Sequence, residues 1–174
     1  MTTTMELILA PALRTRGYTE KLLVGIGADQ VARKPRVGGA IIDTNHPAFI
    51  MGHLGLYLAR LMTITGQDPA PVAAPAEWEA LFKAGAECRD DPEGAVYPAF
   101  GALTSHYFSA TERAIAALRT LPDSILQQPT PDEKARQNFP FVGILVNFLL
   151  NNHVMMHMGQ ISVWRRCMGM PSAM

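Results

Sequence analysis

Apolar residues recur along this chain at intervals of three and four, the spacing that gives a helix one buried side. Four such stretches are separated by segments rich in Pro and Gly. The first helix is predicted over 5–26. Thr3 is placed to cap it, Glu6 completes a capping box, and Leu9, Ala12, Leu13, Leu23 and Ile26 form an irregular stripe. Arg33-Lys-Pro-Arg-Val-Gly-Gly is a turn-rich break. The second helix opens near Asn45-His46-Pro47, with Asn as a favoured cap and Pro tolerated in the first turn. It runs through Phe49, Ile50, His53, Leu56, Tyr57 and Leu61 to about Gly66. The third follows Pro98 on Phe100, Leu103, Tyr107, Ala110, Ala114 and Leu118, and stops at Leu121-Pro122-Asp123. The polar run Pro129-Thr-Pro-Asp-Glu-Lys leads into the fourth, predicted over 139–168.

The segment 68–98 is long and rich in Pro and Ala, with one short helix expected over 77–84. Connections of that length in a compact domain often wall a site. Nothing alternates with period two for long enough to argue a sheet. The pattern therefore predicts an all-α fold, a four-helix bundle with a long crossover between its second and third helices, as a single domain over 1–174. The fourth helix departs from the pattern because it is apolar nearly all round. Val142, Val146 and Trp164 lie on one side, and Ile144, Phe148 and Met155 on another. Such a helix must be covered on every side. A second copy of the chain would do this, which makes a homodimer the expectation; the 68–98 segment is the competing cover.

Composition narrows the function. Fifteen basic residues balance 15 acidic ones, so no cationic surplus is available to neutralise phosphates, and a nucleic-acid partner is disfavoured. At 48% hydrophobic and 17% charged residues, the chain is too apolar for disorder. Its most apolar run, 139–150, is shorter than the roughly 20 residues a membrane span needs, so no membrane partner is expected. The start lacks the basic and apolar regions of a secretory signal, and Cys88 and Cys167 form no framework of disulfides. The expectation is a soluble protein of a reducing compartment, the cytoplasm.

The chemistry lies in the histidines. His153 and His157 are spaced i, i+4, which stacks their rings on one face of the fourth helix and lets two nitrogens converge on one ion. His53 lies among core positions of the second helix, and three histidines entering one bundle interior would leave coordination positions open for water or substrate. Spacing alone leaves two readings open: a metal site, or core histidines satisfied by hydrogen bonds. His106 sits at the flank of its stripe and reads as a boundary residue. His46 lies two turns from His53, about 10 Å along the axis, and reads as a helix-start residue.

Other chemistries are excluded. Val154 follows His153, so the Glu of a zincin motif is missing, and no Glu-x-x-His of a di-iron bundle occurs. There is no GxGxxG, GxxxxGK[ST] or GxSxG. Cys167 follows Arg165-Arg166, a basic pair that can activate a thiol, but its place at the end of an apolar helix argues for a packing residue.

Asn45-His-Pro-Ala-Phe-Ile-Met-Gly52-His53-Leu54, followed by His153-Val-Met-Met-His157-Met-Gly-Gln160-Ile161 and then Arg165 and Gly169, resembles the DinB/YfiT-like family, in order along the whole chain. The resemblance implies a four-helix bundle, commonly dimeric, holding one divalent metal, usually zinc or nickel, on His53, His153 and His157. Characterised relatives include bacillithiol S-transferases and mycothiol-dependent maleylpyruvate isomerases, which implies a metal-activated low-molecular-weight thiol as cosubstrate. The expected function is thus a metal-dependent thiol S-transferase or thiol-dependent isomerase; the alternative is a non-catalytic dimeric bundle that binds a metal or small ligand in stress response. Gln160, one turn beyond His157, is placed to hold a ligand or substrate from behind, or to bond between packed helices. Met158 stands where relatives often carry a basic residue, which weakens any expectation of an anionic-substrate contact there. No residue is read as a catalytic acid or base.

Overall fold

The structure, a computed structural model, describes residues 2–173. Helix α1 (Thr4–Leu23) starts where the Thr3 hydroxyl accepts the Glu6 N–H at 3.1 Å. The predicted reciprocal bond of the capping box is replaced: the Glu6 carboxylate meets Arg119 at 3.3 Å, and Asp123 accepts the N–H groups of Thr4 and Met5. A residue 118 positions away in sequence thus satisfies donors that a helix start leaves free. The helix ends three residues before the predicted Ile26, because Val24 turns extended and Gly25 takes a φ of +77°. Leu9 and Ala12 are buried, but Leu13 points outward.

The turn-rich break holds a hairpin that the pattern did not predict, β1 (Arg36–Val37) paired antiparallel with β2 (Ala40–Ile41). Its two-residue turn, Gly38-Gly39, has φ of +58° and +85°, the positive pair that a tight hairpin favours. Strands of two residues are too short to leave an alternation in the sequence.

Helix α2 (Pro47–Ile64) is capped one residue later than expected. His46 Nδ1, not Asn45, accepts the Phe49 N–H at 3.2 Å, and His46 Nε2–H then donates to the Arg89 carbonyl at 2.9 Å. Asn45 reaches away from the helix. By length and composition α2 could cross a membrane, but 72% of it is buried inside the fold, the pattern of a core helix.

The long crossover is ordered by local contacts. It carries a 3₁₀ turn at Ala70–Val72 and α3 (Trp78–Phe82), inside the predicted short helix. The buried carboxylate of Asp91 accepts the N–H groups of Ala95, Val96 and Tyr97, and Asp90 pairs with Arg33. Helix α4 (Phe100–Arg119) buries Leu103, Tyr107, Ala110, Ala114 and Leu118 as the periodicity predicts. After it come a 3₁₀ turn at Asp123–Gln127 and the short α5 (Glu133–Arg136), capped by Asp132 within a run read as polar loop.

The fourth long helix is composite: α6 (Val142–Asn147), a π-helical turn (Phe148–Asn152) and α7 (His153–Cys167). It starts at Val142, not Phe139, because Phe141 bridges Pro129 and the Val142 N–H bonds Gln128. Val142, Val146, Leu150, Val154 and Met158 repeat every fourth residue, and all are buried. On a regular α-helix a strict four-residue repeat drifts about 40° per step, so these residues would wind nearly halfway round. The wider π turn absorbs part of that drift. Much of the all-round apolar reading is therefore one buried face on an underwound helix. The remainder is real, since Ile144, Met155, Met156 and Val163 are exposed.

Helices α1, α2, α4 and the α6–α7 composite make an all-α bundle in which α2 packs on α4, α3 and α7 and α1 packs on α4 and α7. The far end of α7 is pinned. Trp164 Nε1–H donates to the Arg33 carbonyl at 2.7 Å, and the buried Arg165 donates to the carbonyls of Leu22 and Val24, which α1 leaves open. Gly169, at φ +74°, follows the end of α7.

Candidate metal centre

Helix α2 contributes His53, and the first two turns of α7 contribute His153 and His157. All three rings are buried, and one nitrogen from each lies within 4.8 Å of the other two. His153 Nε2 stands 3.2 Å from His53 Nε2 and 3.1 Å from His157 Nε2. The three residues that the resemblance groups are therefore together in space, with two turns of different chain elements facing each other.

Local structure accounts for each ring's placement. Gly52 lets Phe82 lie directly on α2, since a Cβ there would fall 2.5 Å from the Phe82 ring. That approach sets the Phe82 carbonyl 2.7 Å from His53 Nδ1. The carbonyl can only accept, so the His53 proton sits on Nδ1 and the Nε2 lone pair faces inward. On α7, Gln160 is one turn beyond His157, and its Oε1 lies 2.8 Å from His157 Nδ1. This arrangement likewise leaves Nε2 of His157 as an acceptor. His153 has no partner for its buried Nδ1; Phe148 stacks on the ring at 5.6 Å between centroids, and the half-buried Tyr57 packs edge-on at 4.7 Å.

The proton count exposes a conflict within the cluster. With two of the three rings protonated on Nδ1, only His153 can bring a proton to the shared point, and Nε2–H can satisfy one neighbour at a time. One nitrogen lone pair is left facing another nitrogen. Protonating a second ring is opposed by burial, which lowers all three pKa values: His153 to about 3, with its neighbouring rings adding to the effect, His157 to about 4, and His53 below its ordinary value. A cation at the shared point would resolve the conflict by accepting all three lone pairs. The spacing fits one, because three nitrogens about 2.0–2.1 Å from a tetrahedral zinc stand about 3.3 Å apart. Among the described residues no Asp, Glu or Cys belongs to the cluster.

The other histidines are elsewhere. His46 caps α2, as its position suggested. His106 is half-buried on α4, packed edge-on against Trp78 at 5.3 Å, and Gly55 leaves room for it. Met158 is fully buried among core residues. Cys88 is buried with its thiol pushed up to about 11, and Cys167 lies at the end of α7. Three groups at the site were not read from the sequence: the Phe82 carbonyl, the Phe148 ring and Asn45, whose Nδ2 lies 3.3 Å from Gln160 Oε1. Gly52 beside His53 was the one visible sign of the first, and the other two left none.

A bundle with three inward-facing imidazoles on its second and last helices defines a class of proteins with a histidine-only candidate centre. The chain belongs to the DinB superfamily, whose sequence model matches residues 12–161. A comparison with curated proteins returns no match.

Proposed function

We propose that the chain binds one divalent ion, zinc or nickel, through Nε2 of His53, His153 and His157, and uses it in a thiol-dependent transfer or isomerisation. The observation that carries this reading is the shared point of three neutral, buried imidazoles whose facing nitrogens carry at most one proton. A bound divalent ion supplies Lewis acidity that lowers the pKa of a thiol or water and keeps it nucleophilic at neutral pH. The chain's own groups orient and shield that chemistry. Phe82 and Gln160 hold two rings in the ligating tautomer, and Phe49, Tyr57 and Phe148 pack around the rings. Among the described residues no carboxylate is hydrogen-bonded to the three rings, so proton transfer falls to the nucleophile's own acidity. The same lack of an acid or base favours a second reading, a non-catalytic bundle that binds a metal or small ligand. Two unpaired cysteines are in keeping with a reducing, cytoplasmic setting.

Elemental analysis of protein purified without a His-tag or added metal should give one divalent ion per chain. Wild-type melting temperature should fall with EDTA and recover with zinc or nickel, because an ion that binds only the folded chain stabilises it by mass action. His157→Ala should respond little to either. A metal-free wild type that ignores EDTA and added zinc would overturn the reading. A thiol-transfer panel run on the metal-loaded protein then separates the enzyme from the binding bundle.

A further inference from the structure

The two amides behind His157 do more than fill space. Gln160 Oε1 lies 2.8 Å from His157 Nδ1 and 3.3 Å from Asn45 Nδ2, so one oxygen accepts from two donors. An amide has a donor end and an acceptor end of nearly the same shape. If Gln160 turned over, its NH₂ would face both neighbours, Asn45 would have to present its oxygen, and His157 Nδ1 would have to accept. The ring proton would then move to Nε2, the atom 3.1 Å from His153 Nε2, and the third lone pair would be lost. The two amides thus have two self-consistent arrangements, and only one leaves His157 able to ligate.

We propose that the Asn45–Gln160 pair sets the tautomer of His157, with Asn45 a positioning residue that acts through Gln160. The inference rests on the metal reading above. It also gives the N-terminal loop of α2 a role at α7: Asn45 is free for it because His46 caps the helix instead. The His53 ring needs no such device, since its partner is a carbonyl that cannot turn over.

The test is the sign of the effect in two charge-adding variants. Asn45→Asp can only accept, so it turns Gln160 over. Zinc affinity, measured by competition with a chromophoric chelator, should weaken about tenfold to a hundredfold although a negative charge has been brought near a cation. Gln160→Glu can only accept from His157, so it should bind zinc at least as tightly as wild type. Asn45→Ala should fall between wild type and Asn45→Asp. Charge alone predicts tightening in both acidic variants, and Asn45→Asp binding as tightly as wild type would overturn the inference. A wild type that binds no zinc would overturn the metal reading instead. Nitrogen-15 shifts of His157 in the metal-free wild type provide a check that needs no variant: a protonated Nδ1 is expected, and a protonated Nε2 would overturn the inference.

Discussion

Gly52 shows how a single missing side chain builds the centre. A Cβ at this position would meet the Phe82 ring at 2.5 Å, and Phe82 is fully buried, so the ring cannot swing into solvent. Gly52→Ala should cost about 1–3 kcal/mol by overpacking and should displace the carbonyl that fixes His53. Urea unfolding of the metal-free protein reads the first effect and zinc affinity the second; a variant matching wild type in both would mean that the ring yields freely. His46 makes a different kind of prediction. It is fully buried and neutral, with a pKa lowered from 6.5 to about 4, chiefly by burial. Between those values the unfolded chain binds a proton that the folded chain refuses, so stability falls as pH drops through that window. Above 6.5 the ring is neutral in both states and adds no slope. The full loss is about 3 kcal/mol. His46→Asn keeps a capping acceptor but not the titration. Denaturation of metal-free protein across pH 4 to 6.5 should therefore give a variant whose stability slope is shallower by close to one proton. Equal slopes would show that His46 titrates alike in both states.

At the scale of elements, the sequence carried what is periodic and missed what is long-range. The stripes on α1 and α4 were legible because one face of each is buried, α2 because it is apolar along its length and mostly buried, and the i, i+4 pair on α7 because helical spacing alone puts two rings together. Core spacing could bring His53 and that pair into one bundle interior but left a metal set and satisfied core histidines both open. The resemblance assigned them to one ion; spacing could not, since the order of helices round a bundle depends on contacts between distant residues. The Asp123 cap on α1, the short hairpin and the shifted start of α6 were hidden for the same reason: each rests on a partner outside its own periodic run. The Arg165 of the family pattern also turns out to be a joint between elements. The residue is 5% exposed, and its guanidinium holds the Leu22 and Val24 carbonyls at 2.9 and 2.8 Å and so closes the end of α1. Arg165→Met keeps most of the bulk but loses both bonds and a third, to the Pro171 carbonyl at 3.3 Å, all of them charge-assisted. A loss of about 2–4 kcal/mol is expected, read by urea unfolding, with amide exchange accelerated in the last turn of α1 rather than in α4. A loss spread evenly over the bundle would argue against a local joint.

For the whole molecule, the open question is what covers the apolar residues that the bundle leaves outside. Met155, Gly159 and Val163 follow one another every fourth residue along α7; Met155 and Val163 are exposed, and a Cβ on Gly159 would meet open space. Beside them runs a groove of about 970 Å³, lined by Met155 and by Pro11, Thr15, Tyr18 and Val24 of and just beyond α1, together with the charged Arg14, Glu20 and Lys21. The 68–98 segment, the competing cover, packs against α2 and α4, away from this face. We propose that a second copy of the chain lies here, α7 against the groove. A small residue between two larger ones lets a partner helix approach closely, and a two-fold arrangement would use the same face on both copies. The metal ligands are buried while Met155 and Val163 face outward, so the interface and the centre can be separated by mutation. Val163→Lys adds a charge at one end of this exposed row, at a residue that is not one of the three histidines. Sedimentation equilibrium at micromolar concentration should find wild type dimeric and Val163→Lys shifted to monomer, with zinc binding per chain unchanged. A monomeric wild type would overturn the dimer and leave this face exposed. A variant that loses zinc together with its partner would show that the bundle needs the second copy to hold its histidines in place.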